Sequence, residues 1–221
     1  MFITFEGIEG CGKTTQIKCL KKLLDHHGIP IIMTLEPGGT GIGANIRRIL
    51  LDAENKELAP LAELLLYAAD RAQHVEEVIK PALRAGKWVL CDRFFDATVA
   101  YQGSARGQDV KFIQSLNEKV SQGIQPDMTF LLDCPVDIGL KRALMRNLSV
   151  LDGQDRFEKE KLQFHEKVRE GYLTLARKNK KRFIVIDATR SVEDVEKNIS
   201  KLIMPLVRGN GGSRQGKEED G

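Results

Sequence analysis

Gly7-Ile8-Glu9-Gly10-Cys11-Gly12-Lys13-Thr14 matches the pattern GxxxxGK[ST] in full. Glycines at this spacing let the backbone curl into a nest of N–H groups, and a helix that starts directly afterwards adds the positive end of its dipole. Such a nest holds phosphate. Lys13 is expected to reach the β- and γ-phosphates of a nucleoside triphosphate, and the Thr14 hydroxyl to ligate Mg2+. The loop alone leaves the fate of the phosphate open. A GTP switch would also need a guanine-reading NKxD. The nearest strings, Lys178-Asn179-Lys180-Lys181 and Lys197-Asn198-Ile199-Ser200, lack the aspartate.

Transfer to a small acceptor requires a second cationic site facing the γ-phosphate. Asp92-Arg93 directly follows the apolar run Trp88–Cys91. An aspartate there can hold Mg2+-bound water or the attacking phosphate, and the arginine can clamp a phosphate through two parallel hydrogen bonds. Glu36-Pro37-Gly38-Gly39-Thr40 follows Ile31–Leu35 in the same way, with Arg47 about two turns into the next helix.

These residues need a scaffold that brings them to one edge. Phe2–Phe5, Ile31–Leu35, Trp88–Cys91, Met128–Leu132 and Phe183–Ile186 are nearly continuous apolar runs and read as buried strands. Helical stretches separate them. In Lys13–His27, Ile17, Leu20, Leu24 and His27 recur at helical spacing, and Gly28-Ile29-Pro30 ends the helix. Strands alternating with helices predict a doubly wound α/β fold with a five-stranded parallel sheet, its ligands at the carboxyl ends of the strands. In Pro60–Ala85 the residues Leu61, Leu65, Ala68, Ala72, Val75, Ile79 and Ala82 form a continuous helical seam. That seam can pack on the protein's own sheet, on a second copy across a two-fold axis, or on both.

The chain has 221 residues, 42% hydrophobic and 29% charged, with a net charge of +3. The small charge argues against bulk binding to nucleic-acid polymers and permits local basic pockets for small anions. The apolar runs are far shorter than the ~20 residues of a membrane span. Cys11, Cys19, Cys91 and Cys134 show neither CxxC nor zinc spacing and read as reduced thiols of a cytoplasmic protein. Residues 1–207 are expected to form one domain. The tail Arg208–Gly221 has no apolar side chain and is expected to be disordered.

Five segments, FEGIEGCGKTTQ, EPGGT, LLYAADRAQH, CDRFFDATVAYQG and IDATR, together resemble thymidylate kinase in order and spacing along residues 2–190. The resemblance implies a P-loop fold of the nucleoside monophosphate kinase type that uses ATP and Mg2+ to phosphorylate dTMP. It implies that Thr15, Arg142 and Arg190 join the phosphate loop on the nucleotide side, and that Thr14 and Asp92 lie at the metal. On the acceptor side, Arg71 hydrogen-bonds a thymine carbonyl. Tyr67, where the family usually has Phe, stacks on the ring. Gln102 reads the base N3–H, and Thr98 or Tyr101 lines the sugar. Arg47 and Arg93 clamp the acceptor phosphate, Asp92 and Glu36 lie near the metal and the sugar, Pro37 joins the substrate side, and Glu9 approaches the 3′-hydroxyl.

Some thymidylate kinases carry a catalytic arginine inside the phosphate loop. Here Glu9 is followed by Gly10, so the cation is sought in a lid over about 142–157. Arg142 and Arg146 share a helix face, Arg156 follows the polar run Asp152-Gly153-Gln154-Asp155, and at least one of Arg146 and Arg156 is expected to contact the transferring phosphate. Leu35 stands where the family often has arginine. Two other readings stay open: a kinase of another nucleoside monophosphate, and a nucleotide-binding switch without turnover.

Overall fold

The computed structural model describes residues 1–147 and 156–211. The expected run Asp152–Asp155, with about half of the proposed lid, lies outside them. The elements in chain order are β1 (Phe2–Glu6), α1 (Lys13–His26), β2 (Ile31–Leu35), α2 (Gly41–Leu51), α3 (Pro60–His74), α4 (Lys80–Arg84), β3 (Trp88–Asp92), α5 (Phe95–Thr98), α6 (Val110–Ser121), β4 (Met128–Asp133), α7 (Val136–Asn147), α8 (Leu162–Lys178), β5 (Phe183–Asp187) and α9 (Val192–Gly211). Two π-helical turns, Val75–Ile79 and Val99–Ala105, join α3 to α4 and extend α5. No helix among the described residues is long and apolar enough to cross a membrane.

The five strands form one parallel sheet in the order β2-β3-β1-β4-β5. Side chains alternate across it. Ile3, Phe5 and Leu90 join Leu20 and Leu24 of α1 in one cluster. Phe2, Val89 and Cys91 meet Val75, Ile79 and Ala82 in another. Each such fully buried large side chain contributes roughly 1.5–3 kcal/mol. Register then positions the site. Phe5 of β1 and Leu35 of β2 both pair with Asp92 of β3, so the phosphate loop, Glu36 and Arg93 leave the sheet at one level.

Three expectations change. The apolar runs Ile31–Leu35 and Phe183–Ile186 are edge strands, with Met33, Leu35 and Val185 exposed, because no element covers those faces fully. The seam of Pro60–Ala85 divides: Val75, Ile79 and Ala82 pack beneath the sheet while Leu61 and Leu65 remain exposed. Finally, α9 continues through Arg208–Gly211, where an unstructured tail was expected; the rest of that tail lies outside the described residues.

Candidate active site

The phosphate loop turns through left-handed glycines, and Gly12 caps α1 at φ 98°. Lys13 folds back over the loop. Its Nζ donates to the carbonyls of Gly7 (3.1 Å) and Ile8 (2.9 Å) and stands 3.5 Å from Cys11 Sγ. Thr14 Oγ1 donates to Asp92 Oδ2 at 2.8 Å. Asp92 Oδ1 is buried without a hydrogen-bond partner among the described residues. A hydroxyl beside a carboxylate with an unused oxygen fits Mg2+, which takes oxygen donors and retains several waters. Beneath the loop, burial and the neighbouring Asp96 push the Glu6 carboxyl up to about 8.

Gly10 has a packing reason to be glycine. At φ 70°, a Cβ there would overlap the carbonyl oxygen of Gly139 in α7 and come within 2.9 Å of Ala143 N. Reciprocally, a Cβ on Gly139 would lie 2.6 Å from the Glu9 carbonyl oxygen. Helix α7 therefore seats directly on the loop.

Arg93 bridges loop and wall. It adopts φ 67°, in the left-handed region uncommon for side chains larger than glycine. Its Nη2 donates toward Gly7 O (3.2 Å), Glu9 Oε1 (3.0 Å) and the Tyr101 hydroxyl (2.8 Å). That hydroxyl donates to Glu9 Oε1 at 2.5 Å. His165 of α8, fully buried, places Nδ1 3.3 Å from Glu9 Oε2, and neither of its ring nitrogens has a hydrogen-bond partner among the described residues. Burial alone would raise the Glu9 carboxyl; His165, Arg93, Lys13 and Tyr101 outweigh it and hold the group far below the ordinary range.

The opposite wall is a buried polar network. Arg71 donates to Glu36 Oε2 (2.8 Å), Asn117 Oδ1 (2.7 Å) and Thr98 Oγ1 (3.0 Å). His74 Nδ1 lies 2.9 Å from Glu36 Oε1, and its Nε2 lies 2.6 Å from Thr34 Oγ1. The Glu36–Pro37 bond is cis, and Arg47 donates to Pro37 O at 2.9 Å. Asp70 accepts from Gly38 N at 2.9 Å, and burial together with Glu36 pushes its carboxyl up to about 6. Gln102 Nε2 donates to Glu63 Oε1 at 2.8 Å. Burial pushes the Tyr67 hydroxyl well up from its usual value, and Glu63 adds to the effect.

The phosphate loop, Asp92, Arg93, Glu36, Arg71 and Gln102 face one cleft of about 910 Å3, with Glu63, His74, Asn117 and His165 behind its walls. Of the site residues expected from sequence, all line it except Gly7, Ile8 and Arg156. Gly7 and Ile8 open the loop and present their carbonyls to Lys13. Arg156 is not brought to the cleft: Glu63 Oε2 and the Leu50 carbonyl, each at 2.6 Å, hold its guanidinium on α3 and α2. Arg146 does line the cleft and donates to Glu158 at 3.1 Å. Arg142 donates to Ala188 O, and Arg190 pairs with Asp187.

Sequence reasoning missed Glu63, Asn117, Phe157 and His165. Glu63 carried a signal, since 63, 67 and 71 share one face of a helix. Asn117 and His165 come from distant elements and carry none, and Phe157, next to Arg156, looks from sequence like any other apolar residue.

The thymidylate kinase family model matches residues 5–199. A thymidylate kinase of Geotalea daltonii is 54% identical over 211 residues, which span 95% of this chain and 99% of that relative. Another, of Citrifermentans bemidjiense, is 56% identical over 193 residues, covering 86% of this chain and 85% of the relative. Among solved structures, thymidylate kinase from Ehrlichia chaffeensis superposes with a TM-score of 0.73 at 36% identity, covering 92% of this chain and 98% of that one.

Proposed function

The chain belongs to the thymidylate kinase family, and on that premise we propose how its cleft transfers phosphate, with ATP as donor. It phosphorylates dTMP to dTDP. One observation carries the residue assignments: a single cleft joins the phosphate loop to the wall of Tyr67, Arg71 and Gln102, with Arg93 touching both the loop and Tyr101.

The acceptor phosphate is already ionised near neutral pH, so no strong base is needed. An acceptor oxygen attacks the γ-phosphorus in line. The bond to the β,γ-bridging oxygen breaks, and ADP departs with that electron pair. Repulsion between anions is the barrier that the protein lowers. Lys13 exchanges the Gly7 and Ile8 carbonyls for the β- and γ-phosphates. Arg93 and Arg47 hold the acceptor phosphate, with Glu36 and Pro37 fixing the turn beside them. Thr14 and Asp92 would hold Mg2+, which when bound neutralises charge on the phosphates. Thr15, Arg142 and Arg190 contact the nucleotide side. At least one of Arg146 and Arg156 reaches the transferring group as the lid closes and water leaves.

On the base side, Tyr67 stacks on thymine, Arg71 donates to a ring carbonyl, and Gln102 accepts from N3–H. Thr98 or Tyr101 lines the sugar, and Glu9, held by Tyr101 and Arg93, approaches the 3′-hydroxyl. A cytoplasmic location and a homodimer through the Pro60–Ala85 helix complete the reading. Four free thiols support the former, and the exposed Leu61 and Leu65 the latter.

ADP release measured with dTMP, dUMP, dCMP, dGMP and AMP tests it. We expect acceptor-dependent release, greatest with dTMP. The preference over dUMP is expected at about 10–200-fold, because one methyl group in an apolar pocket is worth about 1–3 kcal/mol. ADP release independent of any acceptor would overturn the kinase assignment.

A further inference from the structure

Glu63 is a carboxylate on α3 that is 1% exposed. Burial of such a group is costly unless it is paired and hydrogen-bonded. Its Oε1 accepts from Gln102 Nε2 at 2.8 Å, and its Oε2 from Arg156 Nη2 at 2.6 Å. Arg106 approaches both oxygens at 3.4 Å and pairs with Glu160 at 2.6 Å. Two arginines from different segments thus converge on one buried carboxylate, whose remaining neighbour is the amide of Gln102.

The charge state of Glu63 decides which way that amide points. Burial alone would raise its pKa, but the Gln102 hydrogen bond and the charges of Arg106 and Arg156 outweigh burial and hold it below the ordinary value. An ionised carboxylate has no hydrogen to donate. Gln102 must therefore turn its NH2 group to Glu63, which leaves its carbonyl oxygen for the cleft that it lines. Side-chain amide orientation is ordinarily an assignment from partners, and here the partner permits one choice. A carbonyl oxygen accepts from a base with a ring N3–H, such as thymine or uracil. It repels the N3 lone pair of cytosine.

We propose that Glu63 is a positioning residue for base selection: it anchors the Gln102 amide nitrogen and so turns the carbonyl toward the base, and Arg106 and Arg156 hold it in place. This rests on the reading that Gln102 faces N3 of the acceptor base. Glu63 touches no substrate and acts through Gln102. Its place between Gln102 and Arg156 also ties base selection to the segment that carries Arg156.

Glu63→Gln tests the proposal, because a neutral amide accepts or donates and frees Gln102 to turn. With dTMP and dCMP as acceptors, kcat/KM for dTMP falls about tenfold, mainly through KM, while that for dCMP does not fall. The selectivity ratio therefore drops by about tenfold. A merely structural role would weaken both acceptors alike and leave the ratio unchanged, which overturns the proposal. Should E63Q fail to fold, Glu63→Asp, which withdraws the carboxylate by one methylene, is read by the same ratio. Gln102→Leu separates the two layers. If its dTMP/dCMP ratio equals that of the unaltered enzyme, Gln102 does not read the base, and the underlying assignment fails. If Q102L collapses the ratio while E63Q and E63D preserve it, Gln102 reads the base without Glu63, and this inference fails.

Discussion

Arg146 and Arg156 flank the same stretch of chain, yet the structure gives them different neighbours. Arg146 projects from α7 along the cleft wall beside Glu158, whereas Arg156 is drawn to Glu63 and the Leu50 carbonyl. A cation that stabilises charge developing on a transferring phosphoryl group acts on kcat, and losing one costs about 10²-fold or more. A cation that supports a binding wall acts on KM. Arg146→Ala is therefore expected to cut kcat by at least about 10²-fold at saturating dTMP. Arg156→Ala is expected to raise the KM for dTMP while kcat stays within about tenfold. Steady-state kinetics of the two variants checks this, and unchanged turnover in both would remove the lid arginines from the mechanism. A basic residue after a polar run was legible in the sequence. Its capture by Glu63 was not, because that contact joins α3 to a segment far along the chain.

The Asp70–Gly38 contact works between elements, fastening α3 to the turn after β2 that carries Glu36 and Pro37. Its pKa is raised from 3.8 to about 6, by burial first and Glu36 second. The folded state thus holds this proton more tightly than the unfolded chain. The associated stability is fully present below about 3.8 and is lost as pH rises through about 6, a change on the order of 2–3 kcal/mol. Asp70→Asn does not titrate. Urea denaturation at pH 4 and pH 8 is expected to show it gaining stability relative to the unaltered chain as pH rises. The elements themselves were largely readable. Apolar runs marked the strands, and parallel register carried Gly7, Glu36 and Arg93 to one edge. The π-helical turns were not readable, since Val75–Ile79 and Val99–Ala105 keep the apolar spacing of an ordinary helix. Nor was the exposure of β2 and β5, because a run of apolar residues looks the same at the edge of a sheet as at its centre.

At the scale of the whole molecule, α3 and its neighbour α2 both expose large apolar side chains. Leu61 and Leu65 are 54% and 46% exposed, and Ile42 and Ile49 are 55% and 46% exposed. A helical face of this kind suits a two-fold interface, where the same patch meets itself. Light scattering is expected to give about twice the 24.7 kDa chain mass, and Leu61→Glu with Leu65→Glu is expected to return it to that of one chain. A different property of the whole follows from the contact between Gly10 and Gly139. The loop arginine of some thymidylate kinases and the lid arginines of this one are not freely exchangeable parts. An arginine at position 10 would need both φ 70° and the space filled by the Gly139 carbonyl, so it would displace α7 and with it Arg142 and Arg146. Gaining a cation at position 10 would thus move the arginines proposed to act from α7. On the proposed roles of Arg142 and Arg146 the two catalytic solutions conflict sterically, and Gly10→Arg alone is expected to lower activity in the kinase assay where a second cation would otherwise raise it.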